Sequence, residues 1–141
     1  MRAFIKNNKV KKMTNEQLQQ LRKALFLDVA EAAEFIGNVS PRAWQRWESG
    51  DRAIPKDVEN KIIELNKIQE NAIGIALENE GYSYSFYDYE SFREEFSDST
   101  LKWRLYQSVL ARAYQTLGDS EKIVPAPADC NLYAFFEGLE I

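Results

Sequence analysis

The sequence predicts a mainly all-α protein with at most one short strand, and three observations support this prediction. Apolar residues recur at intervals of three and four along most of the chain. Helix-initiating residues stand directly before these periodic stretches, as at Thr14, Asp28, Ser40 and Thr100. Only residues 81–86 alternate aromatic with small polar residues, as a half-buried strand does.

The composition excludes several classes of protein. No run approaches the roughly 18–20 consecutive apolar residues of a transmembrane helix, and no apolar signal segment follows the basic N-terminus. The single cysteine, Cys130, fits a reducing compartment. The absence of histidine removes the usual nucleophile–histidine pairs and most zinc sites. We therefore expect a cytoplasmic protein that is not an enzyme and uses neither cofactor nor metal.

The first two predicted helices begin with recognisable capping residues. Thr14 and Gln17 have the spacing of a capping box, in which each side chain bonds the backbone of the other. Arg22 on this helix is expected to face outward, where it could contact phosphate. Asp28 begins a second helix, which ends near Gly37.

The stretch from Ser40 to Gly50 predicts a short third helix. Ser40 is a favourable N-cap, and Pro41 suits the first helical position because its missing N–H costs nothing there. Gly50 suits the left-handed position just past the end. Trp44 and Trp47 fall on one face, so we expect them to be buried.

The opposite face of this third helix is polar. It carries Arg42, Gln45 and Arg46, whose side chains pair bidentately with guanine and adenine edges. Two capped helices joined by a glycine-containing turn form a helix-turn-helix, whose second helix enters the DNA major groove. The sequence therefore predicts binding to double-stranded DNA, while phosphate contacts alone leave RNA open. The predicted DNA-binding residues are Arg42, Gln45, Arg46, Ser49, Arg52, Lys56 and Arg22.

The same residues resemble the lambda-repressor-like (XRE) family of DNA-binding domains. The resemblance rests on Ala30, Ala33, Gly37, the Val39–Ser40 entry into the third helix and the Trp47–Gly50 ending. The runs that carry a narrower similarity lie at 15–18, 27–33, 44–50, 54–55 and 103–109. From about Met13 to Tyr114 they make the chain similar to the YdiL-like and anti-CRISPR-associated autorepressor regulators. This resemblance implies repression of an operon that includes the regulator's own gene.

The net charge of −4 is distributed unevenly. Residues 1–70 carry 13 Lys/Arg against 10 Asp/Glu, whereas residues 71–141 carry 5 against 12. This asymmetry favours a DNA-binding domain at 13–70 and a dimerisation region at 71–141, with ordinary charge fluctuation as the alternative. Residues 1–12, with five Lys/Arg and no acid, form either a flexible basic arm on the DNA or a leader without function.

The helical pattern continues after Gly50. We expect one long helix from Pro55 to about Asn79, a short helix at 91–96, another at 100–117 and a terminal helix around 132–139. The helix at 100–117 carries a stripe typical of a helix–helix seam, formed by Trp103, Tyr106, Leu110, Ala113 and Leu117.

The function hypothesis that follows is a homodimeric transcriptional repressor on an inverted-repeat operator. One bidentate base contact contributes only about 1–3 kcal/mol, whereas a specific regulator needs roughly 4–10 kcal/mol. The seam and the aromatic segment 82–96 are predicted to join the protomers. Residues 81–86 either form a strand that pairs with the same strand of the other protomer or form an extended linker. The alternative is a protein-interaction module of antitoxin or adaptor type, with the helix-turn-helix auxiliary.

Overall fold

The computed structural model describes residues 12–79, 81–117 and 124–141. In these ranges the chain forms helices α1 (Asn15–Ala24), α2 (Val29–Ala32, continued by a π-helical turn at Ala33–Gly37), α3 (Pro41–Ser49), α4 (Lys56–Leu77), α5 (Tyr89–Glu95), α6 (Thr100–Leu117) and α7 (Asn131–Gly138). Two short strands are β1 (Tyr82–Ser83) and β2 (Val124–Pro125). The prediction of a mainly α-helical fold is confirmed.

Helices α1 and α2 both begin with a complete capping box. The Thr14 hydroxyl accepts from the Gln17 N–H at 3.1 Å, and the Gln17 side chain accepts from the Thr14 N–H at 2.9 Å. Asp28 pairs in the same way with Glu31, at 2.8 and 3.0 Å. The capping by Thr14 and Asp28 is therefore confirmed, and Glu31 is a partner that the sequence did not reveal.

Helix α4 is the element on which the rest of the fold packs. It contacts α1, the π-helical turn, α6 and α7, and it buries Val58, Ile62, Leu65, Ala72 and Ala76. The predicted long helix is confirmed, and it continues through Gly74 without a break. The predicted domain boundary between residues 70 and 71 lies inside this helix.

The stripe on α6 is buried within the protomer. Tyr106 is 0% exposed, while Leu110 and Ala113 are also buried. Trp103 is half-buried, and the side chain of Leu117 lies outside the described residues. For Tyr106, Leu110 and Ala113, the expectation that they join two protomers is wrong, because other helices of the same chain bury them. Tyr106, for example, packs against Phe136 of α7.

The small sheet also differs from the prediction. Tyr82 pairs with Val124 and Ser83 with Pro125, in parallel, so β1 is paired within its own chain. The partner was missed because a strand of two residues is too short to show any periodicity. The start of α6 is corrected as well, since the Ser99 hydroxyl accepts from the Lys102 N–H at 3.0 Å and Thr100 is the first helical residue.

Two further expectations concern the basic N-terminal arm and membrane-spanning segments. The proposed basic arm falls almost entirely on residues 1–11, which lie outside it. Among the described helices, none combines the length and the hydropathy that a membrane-spanning segment requires.

Candidate nucleic-acid interface

Helix α3 has the ends that its sequence predicts. The Ser40 hydroxyl accepts a hydrogen bond from the Ala43 N–H at 3.2 Å, and Pro41 opens the helix. Gly50 closes it with φ of 88°, a left-handed conformation that glycine adopts without strain. The helix is therefore short and sharply bounded.

The apolar face of α3 anchors it to the core. Trp44 is 0% exposed and Trp47 is buried, and their rings meet edge to face with centroids 5.5 Å apart. Gly37 allows the preceding turn to approach this pair, because an added Cβ would lie 3.0 Å from Cζ3 of Trp47. The prediction that both tryptophans are buried is confirmed.

The opposite face of α3 is open to solvent and rich in arginine. Arg42, Gln45 and Ser49 are exposed, and Arg46 is half-buried. Arg52 joins them because its backbone N–H donates to the Arg46 carbonyl at 3.1 Å, which folds the following loop against the end of α3. A surface groove is lined by Val39, Ser40, Arg42, Ala43, Arg46, Trp47 and Arg52.

The charges in this groove are not neutralised by the part of the chain that the structure describes. Across residues 12–79, 81–117 and 124–141, no carboxylate lies within 4.0 Å of Arg42, Arg46 or Arg52. Lys56 lies 3.7 Å from Glu59, so its charge is partly balanced. The Ser49 hydroxyl donates to the Arg46 carbonyl at 3.2 Å. The groove can therefore attract a polyanion.

Arg22 occupies a different position from the one expected. It is buried, its Nε lies 2.6 Å from Oε2 of Glu48, and its Nη1 donates to the Leu27 carbonyl at 2.9 Å. The expectation that Arg22 faces outward is wrong, because its guanidinium group lies beneath α3 and pairs with Glu48 of that helix. Arg22 thus positions the predicted recognition helix from behind.

Glu48 and Asn15 are the residues that sequence reasoning missed. The Glu48 carboxylate accepts from Arg22 and from the indole N–H of Trp44, while Asn15 donates to the Glu48 carbonyl at 3.0 Å. Burial raises the pKa of Glu48, but the hydrogen bonds from Arg22 and Trp44 outweigh it and hold the pKa below its ordinary value. The spacing of Trp44 and Glu48, four residues apart on a helix, was the available signal.

Comparison with known proteins agrees with the sequence resemblance. A model of the Aca2/YdiL-like family matches residues 13–122. The Aca2 repressor of Pectobacterium phage ZF40 is 43% identical over 117 residues, covering 79% of this chain and 100% of that protein. The uncharacterized protein YdiL of Escherichia coli (strain K12) is 26% identical over 110 residues, covering 72% and 93%. The narrower resemblance is confirmed, and the chain belongs to the Aca2/YdiL-like family.

Proposed function

We propose that this protein is a sequence-specific DNA-binding transcriptional repressor. The observation that carries the proposal is the arginine groove on α3, where Arg42, Arg46 and Arg52 converge without a neutralising carboxylate among the described residues. Arginine binds phosphate and guanine bidentately, so such a groove suits duplex DNA. The similarity to a protein named a repressor supports the regulatory role.

The proposed roles follow from exposure and side-chain chemistry. Arg42 and Arg46 contact guanine edges, and Gln45 contacts an adenine. Arg52 and Lys56 lie beyond the end of α3, where they contact the phosphate backbone and fix the orientation of the helix.

A homodimer on an inverted repeat, with repression of the protein's own gene, completes the proposal. Two recognition helices about 34 Å apart would supply the discrimination that one helix lacks. Because the stripe on α6 is covered within the protomer, we place the contact between the two copies on another surface of the C-terminal half. In the described part of that half, the exposed large apolar side chains are Phe86, Tyr114 and Val124.

Filter binding to two duplexes of equal length tests the proposal. One duplex carries the region upstream of the protein's own gene, and the other is a shuffled version of it. We expect tighter binding to the first, and we expect Arg46→Ala to weaken it by about 1–3 kcal/mol per site. Arg93→Ala is the matched control, because it removes an equal charge from α5. Equal binding to both duplexes by the wild type would overturn sequence-specific autorepression.

One observation favours the alternative of a protein-binding module. Phe86 is 74% exposed, although its backbone neighbours are held in place. The Ser85 N–H donates to the Tyr133 hydroxyl at 2.8 Å, and the Tyr106 hydroxyl donates to the Ser85 carbonyl at 2.6 Å. An exposed aromatic ring on a fixed backbone is a typical interface anchor. Phe86→Ala separates the hypotheses. A monomeric variant that still binds single half-sites would place Phe86 at the interface between the two copies. A variant that still dimerises would favour contact of Phe86 with a different protein.

A further inference from the structure

One polar row on α6 contacts two other helices, α2 and α4. Arg104, Ser108 and Arg112 are four residues apart, so they share one face of α6. Arg104 pairs with Glu31 of α2, Ser108 bonds Gln69 of α4, and Arg112 pairs with Glu70 of α4. The first two contacts lead to the helix-turn-helix unit, which is α2 and α3 together with α1, the helix that packs on α3, whereas the third does not.

The contact at Arg104 involves Glu31, the partner of Asp28 in the capping box of α2. One oxygen of Glu31 accepts from the Asp28 N–H at 3.0 Å, and the other accepts from Nε of Arg104 at 3.0 Å. The guanidinium carbon of Arg104 also lies 4.8 Å from the Trp103 ring centroid. The Trp103 indole donates to the Tyr87 carbonyl at 2.9 Å, so this ring is itself fixed. A single carboxylate therefore joins the start of α2 to a fixed part of α6.

The contact at Ser108 passes through a buried amide. Gln69 is 3% exposed, and its Nε2 donates to the Ala24 carbonyl at 2.8 Å and to the Ser108 hydroxyl at 2.9 Å. The Ser108 hydroxyl donates in turn to the Leu105 carbonyl at 2.7 Å. Ala24 is the last residue of α1, so Gln69 connects the end of α1 to α6.

We propose that Arg104 and Ser108 determine the half-site spacing that the repressor accepts, by fixing the helix-turn-helix unit against α6. This inference rests on the proposed function, since it requires a dimer on an inverted repeat. Adjacent base pairs lie about 3.4 Å apart along the helix, and one turn contains about 10–10.5 of them. A change of one base pair therefore both shifts and rotates a half-site. A rigid connection rejects that change, whereas a loosened connection accepts it.

The test compares full-length variants on a set of operators. The wild-type protein first selects its site from a pool of random duplexes, and one or two base pairs are then inserted or deleted between the half-sites. The test variant is Arg104→Ala/Ser108→Ala, with Arg112→Ala as the control because it breaks an ion pair on the same row that does not reach α1 to α3. Binding to a single half-site is measured for all three proteins.

We expect the wild type and Arg112→Ala to lose about tenfold or more in affinity for each altered spacing, as for one mismatched base pair. The double variant should bind the altered spacings within about threefold of the selected one, with unchanged single half-site binding. A wild-type spacing preference in the folded double variant would overturn the inference, as would loss of its single half-site binding. If the double variant does not fold, Arg104→Gln is read by the same criteria. Selection of no inverted repeat by the wild type would instead overturn the proposed function.

Discussion

Arg22 on α1 and Glu48 on α3 form a two-contact ion pair beneath the proposed recognition helix. The Nε–Oε2 distance is 2.6 Å and the Nη2–Oε1 distance is 3.1 Å, and the two side chains are 9% and 7% exposed. The Trp44 indole N–H also donates to the Glu48 carboxylate, and the Leu27 carbonyl accepts from the Arg22 guanidinium group. The placement of α3 therefore depends on two compensated charges that solvent barely reaches.

Substitution of Glu48 should destabilise the fold strongly. Glu48→Gln preserves the size of the side chain but leaves the buried Arg22 charge without its partner, which typically costs about 3–5 kcal/mol. Urea unfolding at neutral pH measures the effect. The control is Glu70→Gln, since Glu70 is exposed and pairs with Arg112 at 3.5 Å. This variant should lose less than about 1 kcal/mol of unfolding free energy. Similar losses for the two variants would contradict the role assigned to Glu48.

The stabilisation from Glu48 should disappear in acid. The pKa of its carboxyl is held below the ordinary value in the folded state, so the unfolded chain binds the proton more readily. The stabilisation is therefore complete above the unfolded pKa and is lost as the pH falls through the folded pKa. The difference in unfolding free energy between wild type and Glu48→Gln should shrink over that range in a pH series of urea titrations. A difference that is constant with pH would show that the Glu48 charge does not stabilise the fold.

A single glycine substitution should stabilise the end of α1. Phe26 has φ of 64°, and its N–H and that of Leu27 close α1 by donating to the carbonyls of Lys23 and Arg22. This is the arrangement in which glycine is favoured, because a left-handed residue with a side chain costs roughly 1–2 kcal/mol. Phe26→Gly should raise the unfolding free energy by about 0.5–1 kcal/mol in urea unfolding, part of the relief being offset by the freedom of glycine in the unfolded chain.

Asn38→Gly provides the comparison for that substitution. Asn38 has φ of 50°, and asparagine tolerates this region better than phenylalanine does. The increase in unfolding free energy should therefore be smaller for Asn38→Gly than for Phe26→Gly. A less stable Phe26→Gly variant would show that the half-exposed ring makes contacts worth more than the relieved strain.

Most of the predicted features that the structure confirms depend on near neighbours, although the Glu31 partner of Asp28 and the Ser99 cap of α6 are local features that differ from the prediction. The capping box of Thr14 and Gln17, the Ser40 cap and the Gly50 ending each involve hydrogen bonds or backbone conformations within about four residues. The burial of Trp44 and Trp47 followed from helical periodicity alone.

Features that depend on distant partners could not be predicted in this way. Helical periodicity places Arg22 at the surface, because its partner, Glu48, is 26 residues away. The Arg104–Glu31 contact spans 73 residues. The stripe on α6 predicts an interface between helices, but periodicity does not state whether the partner helix belongs to the same chain or to another copy.

The salt dependence of DNA binding tests the central claim most directly. Affinity for the upstream duplex is measured at several salt concentrations for the wild type, for Arg52→Ala and for Arg93→Ala as the charge-matched control. If the arginine groove binds the DNA backbone, a dimer with about 6–10 phosphate contacts should lose roughly 10³–10⁵ in affinity between 50 and 200 mM salt. Arg52→Ala should reduce the slope by about one per protomer, whereas Arg93→Ala should leave it unchanged. A flat dependence in the wild type, or equal slopes for Arg52→Ala and the wild type, would contradict the assignment of this groove as the DNA-binding surface.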